Sequence, residues 1–202
     1  MGKETIEKFL GRRERKKQET RDALESTAWR LFQRKGYDET TVEDITDAVD
    51  VSTRTFFRYF DSKEAVLFGD WRSGLGRVSE LILARPPDEP PLTVLFEASL
   101  QLLELGRPDE KRLMLRKALS ERSRKIGDYE RNVISPEMES AVAGALAQRM
   151  GIDADSDPRP ALYAAVAVAA WNTARKLWMA SDGKQSMSGL LREAFNSLQT
   201  PI

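Results

Sequence analysis

Apolar residues recur at helical spacing along nearly the whole chain, and strand-like alternation is not seen. Between Thr40 and Glu64 the periods are short. Val42, Ile45 and Val49 mark one inward face, and Phe56 and Phe60 mark another. Polar residues punctuate these runs. Thr40 followed by Glu43 predicts a capping box opening a first short helix. Asp50 and Val51 predict a turn, and Ser52 is a good N-cap for a second helix from about Thr53 to Tyr59. Asp61 and Glu64 read as a second capping box, opening a longer helix from Ser62 to Leu83 or Ala84. Pro86 and Pro87 stop that helix, and Gly69, Gly74 and Gly76 weaken it, each by up to about 1 kcal/mol relative to alanine.

Further helices are predicted from Leu92 to Leu105, ending at Gly106, and from Pro108 onward with Leu113, Leu115 and Leu119 apolar. Ser135 and Pro136 form a cap and first-turn pair for a helix to Met150. After the turn GIDADSDP, a helix from about Pro158 to Ala180 is apolar over most of its circumference through Trp171. A last helix, from about Met187 to Leu198, carries Leu190, Leu191, Ala194, Phe195 and Leu198 on one side. A helix apolar all round needs cover on several sides. The helices at 158–180 and 187–198 are therefore the expected dimer interface, with a monomeric core as the rival reading.

With 202 residues and 41% hydrophobic content, the chain has room for a small domain and a larger one. Its net charge is zero, but six Lys or Arg residues against two acids lie between Arg12 and Arg21, so basic charge is local. Neither cysteine nor histidine occurs, which removes disulfides, the usual zinc ligands and histidine acid–base chemistry. No cofactor is expected, and no motif at catalytic spacing points to an enzyme. Charges interrupt the first apolar residues, Ile6, Phe9 and Leu10, and the run Ala161 to Trp171 is too short to span a bilayer. The expectation is a soluble cytoplasmic protein.

The segment Thr40–Glu64 carries the functional signal. A short helix with Thr53, Arg54, Phe57 and Arg58 off its buried side suits major-groove reading. An ordinary helical hairpin with Arg and Thr on its surface is the alternative that this pattern leaves open. Lys63 sits in the first turn of its predicted helix, where the dipole disfavours a cation; a nearby phosphate would account for it.

The stretch AWRLFQRKGYDETTVEDITDAVDVSTRTFFRYFDSKEAVL resembles the N-terminal domain of the tetracycline-repressor (TetR) family. Leu31, Phe32, Gly36 and Tyr37, then TTV, then VS..TF.RYF.SKE carry the likeness. Two departures stand out: Asp50 where the family usually has glycine, and Phe57 for its frequent tyrosine. The resemblance implies an all-α fold: a three-helix helix-turn-helix DNA-binding domain in residues 1–66, then a helical effector-binding and dimerisation domain in 67–202. It assigns Thr53, Arg54 and Phe57 to base edges, Thr41, Thr55, Tyr59 and Lys63 to phosphates, and Arg58 to either. It also implies a homodimer on double-stranded DNA, most simply a repressor released from a palindromic operator by a hydrophobic small molecule. Leu95, Phe96, Leu103, Trp171, Asn172 and Trp178 are the pocket residues expected on that basis. FFRYFDSKEAVLFGDW and RPPDEPPL are similar to an acyl-CoA-responsive subgroup, in which Arg112, Arg116, Arg122, Arg124 and Lys125 would meet coenzyme A phosphates. A constitutive DNA-binding or scaffold protein and, further off, a helical enzyme are the competing classes.

Overall fold

The structure is a computed structural model that describes residues 11–69, 71–105 and 110–199. Among these residues every regular element is helical. The chain divides into two compact units after Gly69.

The first unit holds α1 (Arg12–Lys35), α2 (Val42–Asp47), α3 (Thr53–Phe57) and α4 (Ala65–Phe68). Leu24, Ala28, Leu31 and Phe32 of α1 close over Tyr37, Ile45, Phe56, Phe60 and Val66, all buried. The capping box of α2 lies one residue later than expected. Thr41 accepts from the Asp44 amide at 3.0 Å, and Asp44 accepts from the Thr41 amide at 2.8 Å. Thr40 is otherwise engaged: it is fully buried, and its hydroxyl donates to the Gly36 carbonyl at 2.6 Å. Asp50 makes the turn with φ 56°, the left-handed conformation that Asp tolerates better than most residues. Ser52 then caps α3, accepting from the Thr55 amide at 3.1 Å.

The second expected capping box does not form. Ser62, not Asp61, accepts from the Ala65 amide at 3.2 Å, while the Glu64 carboxylate accepts from the Tyr37 phenol at 2.5 Å. The long helix expected from Ser62 is also broken. It stops at Phe68, where Gly69 takes φ 61°, a conformation open to glycine and costly for other residues.

The second unit contains α5 (Trp71–Leu83), α6 (Pro91–Leu105), α7 (Glu110–Arg122), α8 (Arg124–Tyr129), a π-helical turn (Glu130–Ile134), α9 (Ser135–Met150), α10 (Arg159–Ala180) and α11 (Met187–Gln199). The expected stop at Gly106 and start at Pro108 fall outside the described residues. Pro136 stands in the first turn of α9 as expected, but Ser135 is not its N-cap. The Ser135 amide bonds back to the Glu130 carbonyl, and Pro136 has no N–H to give, so the helical path continues through a π turn instead of restarting. Gly151, at φ 65°, ends α9 in a left-handed cap, with the Ile152 amide on the Ala147 carbonyl.

The core of this unit joins Ile82, Val94, Leu95, Ala98, Leu146 and Trp178 with the inward side of α11, Leu190, Leu191 and Phe195. Ala164, Ala167 and Ala174 of α10 are spent within this core. The helix still leaves Leu162 and Leu177 exposed on its other side. No described helix is long and apolar enough to cross a membrane.

Candidate nucleic-acid interface and cavity

The reading face starts from the two phenylalanines that anchor it. Phe56 and Phe60 are buried with ring centroids 5.4 Å apart, and Phe56 and Phe57 meet in a T-shaped pair. Burying two aromatic side chains contributes several kcal/mol, large for so small a unit. With that side fixed, α3 turns Arg54, Phe57 and Arg58 outward; Phe57 is 54% exposed. Ser52, Arg54, Thr55, Phe57 and Arg58 line one open groove. Sequence reasoning used Ser52 only as a cap, yet its hydroxyl shares a 2.9 Å hydrogen bond with that of Thr55. Thr53 is half-buried at the helix start. Thr41 stands at the N-terminus of α2 as its cap. Arg58 donates to the Tyr59 hydroxyl at 3.3 Å, and its guanidinium lies 5.1 Å from the centre of that ring.

Lys63, expected at a phosphate, has partners within the head. Its ammonium donates to the Tyr37 carbonyl at 2.7 Å and the Thr40 carbonyl at 2.8 Å, and rests 4.1 Å from the Tyr37 ring centre. The cation that the helix dipole disfavours thus ties the loop after α1 to the start of α4. Next to it, burial and then the bond to Glu64 push the Tyr37 phenol pKa up. Burial also pushes Glu64 upward, but hydrogen bonds from Tyr37, its own backbone and Ser62 outweigh it, so its pKa is lowered.

Basic residues Arg12, Arg13, Arg15, Lys16 and Lys17 are exposed on the first turns of α1. Arg21 turns inward, with its guanidinium 4.9 Å from the Phe60 ring centre.

The second unit carries a cavity of about 710 Å³ that is partly open to solvent. Leu100, Leu103, Leu113, Trp171, Trp178 and Met187 form its apolar wall. Glu104, Arg116, Arg175, Gly183, Gln185, Ser186 and Ser188 supply the rest of the lining. Of the six pocket residues expected, Leu103, Trp171 and Trp178 are there. Leu95 is core, Phe96 packs on Phe195 at 5.4 Å, and Asn172 meets the Ser135 hydroxyl at 3.5 Å. Among the basic residues expected at coenzyme A phosphates, Arg116 lines the cavity, whereas Arg112, Arg122, Arg124 and Lys125 are exposed and do not.

Arg175 was not foreseen as a pocket residue. It pairs with Glu130 at the start of the π turn, with both side chains largely buried. Burial, then repulsion from Arg175, lowers the Arg116 pKa to about 10 against the pull of Glu130, so its guanidinium stays charged at neutral pH.

Residues 25–68 match the model for bacterial regulatory proteins of the tetR family, and residues 89–202 match that for the MftR C-terminal domain. The chain belongs to the tetR family. It is a helix-turn-helix transcriptional regulator. It is 36% identical to the HTH-type transcriptional regulator TcmR of Streptomyces glaucescens, over 95% of this chain and 88% of that protein. It is 28% identical to the HTH-type transcriptional regulator AcrR of Shigella flexneri over 55% of this chain and 53% of that protein. Among solved structures, the Thermus thermophilus repressor FadR, crystallised with lauroyl-CoA, shares its fold. The TM-score is 0.55 at 22% identity, covering 89% of this chain and 93% of that one.

Proposed function

We propose that this tetR-family regulator is a homodimeric repressor, released from a near-palindromic operator when a hydrophobic small molecule fills the cavity behind Trp171 and Trp178. The cavity is the observation that carries the reading. It is about 710 Å³, partly open to solvent, with an apolar wall of leucines and two tryptophans, the size and lining of a small-molecule site. Arg54 forks onto a base edge, Phe57 packs on a thymine methyl, and Thr53 reads beside them. Thr41, Thr55, Tyr59 and Arg58 hold phosphates and set register. Lys63 belongs to the frame of the head.

The dimer forms along α10 and α11. Leu162, Val166, Ala169, Thr173 and Leu177 recur at helical spacing on the side of α10 away from its own core, and Leu198 of α11 is 46% exposed. Two heads about 34 Å apart would then enter successive major grooves. Effector binding shifts the population toward a form whose heads no longer match the operator. Relief of repression scales with the ligand's preference for that form, about tenfold for each 1.4 kcal/mol.

A second reading makes the effector an acyl-CoA. The basic residues on α7 and α8 favour it: Arg116 at the cavity, and Arg112, Arg122, Arg124 and Lys125 exposed along the same helices. The test is fluorescence anisotropy of the full chain on an operator selected from random DNA, with hydrophobic acids and acyl-CoAs added. Release by one class at concentrations that leave the fold intact supports the reading. Retention of the operator with every compound, in a protein whose cavity binds none, contradicts it.

A further inference from the structure

We propose that the cavity selects an amphipathic anion, a flat apolar body carrying one acidic group seated between Arg116 and Arg175. This deepens the effector reading above and rests on it. Two guanidiniums, with Glu104, Gln185 and two serines, share the lining with an apolar wall of leucine, tryptophan and methionine. In such surroundings charge is costly unless matched, and these two cations repel each other. Glu130, which opens the π-helical turn, pairs with Arg175 and attracts Arg116 as well. Glu104 also lines the cavity but is exposed, so water screens it. The lowered Arg116 pKa reflects the same crowding, which an incoming anion would relieve.

The opposite part of the lining fits the apolar body. Trp171 and Trp178 offer broad, stiff surfaces, and a Cβ on Gly183 would stand 3.2 Å from the Trp178 ring. Glycine, at φ 75°, therefore lets this loop lie close against the tryptophan. The volume is that of a drug-sized ligand. The N-terminus of α11 opens on the same space at Ser186–Ser188 and adds partial positive charge.

The acid competes with Glu130 for Arg175. Its binding would loosen the Arg175–Glu130 ion pair, which links α10 to the π turn, a segment type often found at functional sites.

The test compares two fluorescent probes with one ring system, anilinonaphthalene sulfonate and the uncharged phenylnaphthylamine, on the full-length chain. Energy transfer from tryptophan reports binding, and displacement by naphthoate or naphthamide gives the same comparison without a dye. Wild type is expected to bind the anionic member of each pair about tenfold tighter, the size of one charge-assisted hydrogen bond. Arg116→Met and Arg175→Met should erase that preference, while Arg77→Met, exposed on α5 and outside the cavity, keeps it. The wild-type comparison stands even if a variant fails to fold. Equal affinity for charged and neutral partners in wild type overturns the anion site but leaves the effector cavity. Displacement by lauroyl-CoA and not by naphthoate also overturns it, in favour of the acyl-CoA reading. No binding of either dye overturns both this inference and the cavity reading. Preferred anion binding without operator release upholds the site and removes the effector role.

Discussion

The two units use their cations in opposite ways. In the head, Arg54 and Arg58 project into water from a short helix whose other side is locked by Phe56 and Phe60. In the C-terminal unit, Arg116 and Arg175 are drawn into an apolar cavity and balanced by Glu130. Exposed cations act on a polyanion through a field that salt screens within about 10 Å at 0.1 M ionic strength. Enclosed cations act on a single group at contact, where salt matters little. One chain thus meets two kinds of anion without confusing them: a phosphate backbone at the surface and a discrete acid inside.

Removing an anchor should have the largest effect. Phe56→Ala is expected to cost about 3–5 kcal/mol, unfolding the head and abolishing DNA binding. Dye binding in the C-terminal unit should persist, which calorimetry and dye titration together would show. If the cavity is lost as well, the units are not independent in the way this comparison requires.

Leu162→Arg with Leu177→Arg is the next break. Placed on the outer stripe of α10, the two charges should turn a dimer into a monomer in sedimentation and weaken operator binding at least about a hundredfold. The chain's own core should survive, because neither leucine belongs to it. An unchanged dimer mass would move the interface elsewhere.

Within the head the cations themselves divide. Arg54→Ala should cost about 1–3 kcal/mol at one or two base positions. Arg58→Gln should weaken all sequences alike and reduce the salt slope by about one phosphate contact. Lys63→Met should instead lower head stability by about 1 kcal/mol, for the two carbonyls it leaves, and barely alter the slope. A slope change at Lys63 matching that at Arg58 would return the lysine to the phosphate set.

Smaller effects test the frame. The pKa of Glu64 is lowered in the folded head, so its contribution is present above the unfolded carboxylate value, about 4.3, and is lost as pH falls through the lowered value. Tyr37 has the opposite shift, so its share is lost above about pH 10, where the unfolded phenol ionises. Thermal melts of Glu64→Gln should accordingly show a shallower loss of stability on acidification than wild type. Asp50→Gly should stabilise the turn by about 0.5–1 kcal/mol, since glycine adopts φ 56° without strain.

These contrasts also mark what the sequence could disclose. Ser52, Asp50, Phe56 and Phe60 were legible because each acts within a few residues of itself, and local spacing encodes such roles. The α2 cap was misplaced by one residue because Thr40 and Thr41 are equally good caps locally; a buried bond to Gly36 decides between them. The oddity of Lys63 was visible from the helix dipole, but its answer lies on carbonyls that only folding brings near. Periodicity marked Leu95 and Phe96 as inward. It cannot say whether inward means packed core or cavity wall: Leu95 proved to be core, and Phe96 packs half-buried against it. Arg175 gave no local signal at all, because its meaning comes from Glu130 and Arg116 on other elements.

The most direct measurement is selection of bound sequences from random DNA by the wild-type chain and by Arg54→Ala. The account predicts a near-palindromic site with half-sites one helical turn apart, and relaxed preference at one symmetric pair of positions in the variant. Identical enrichment by both proteins, or no sequence retained even at low salt, would contradict it.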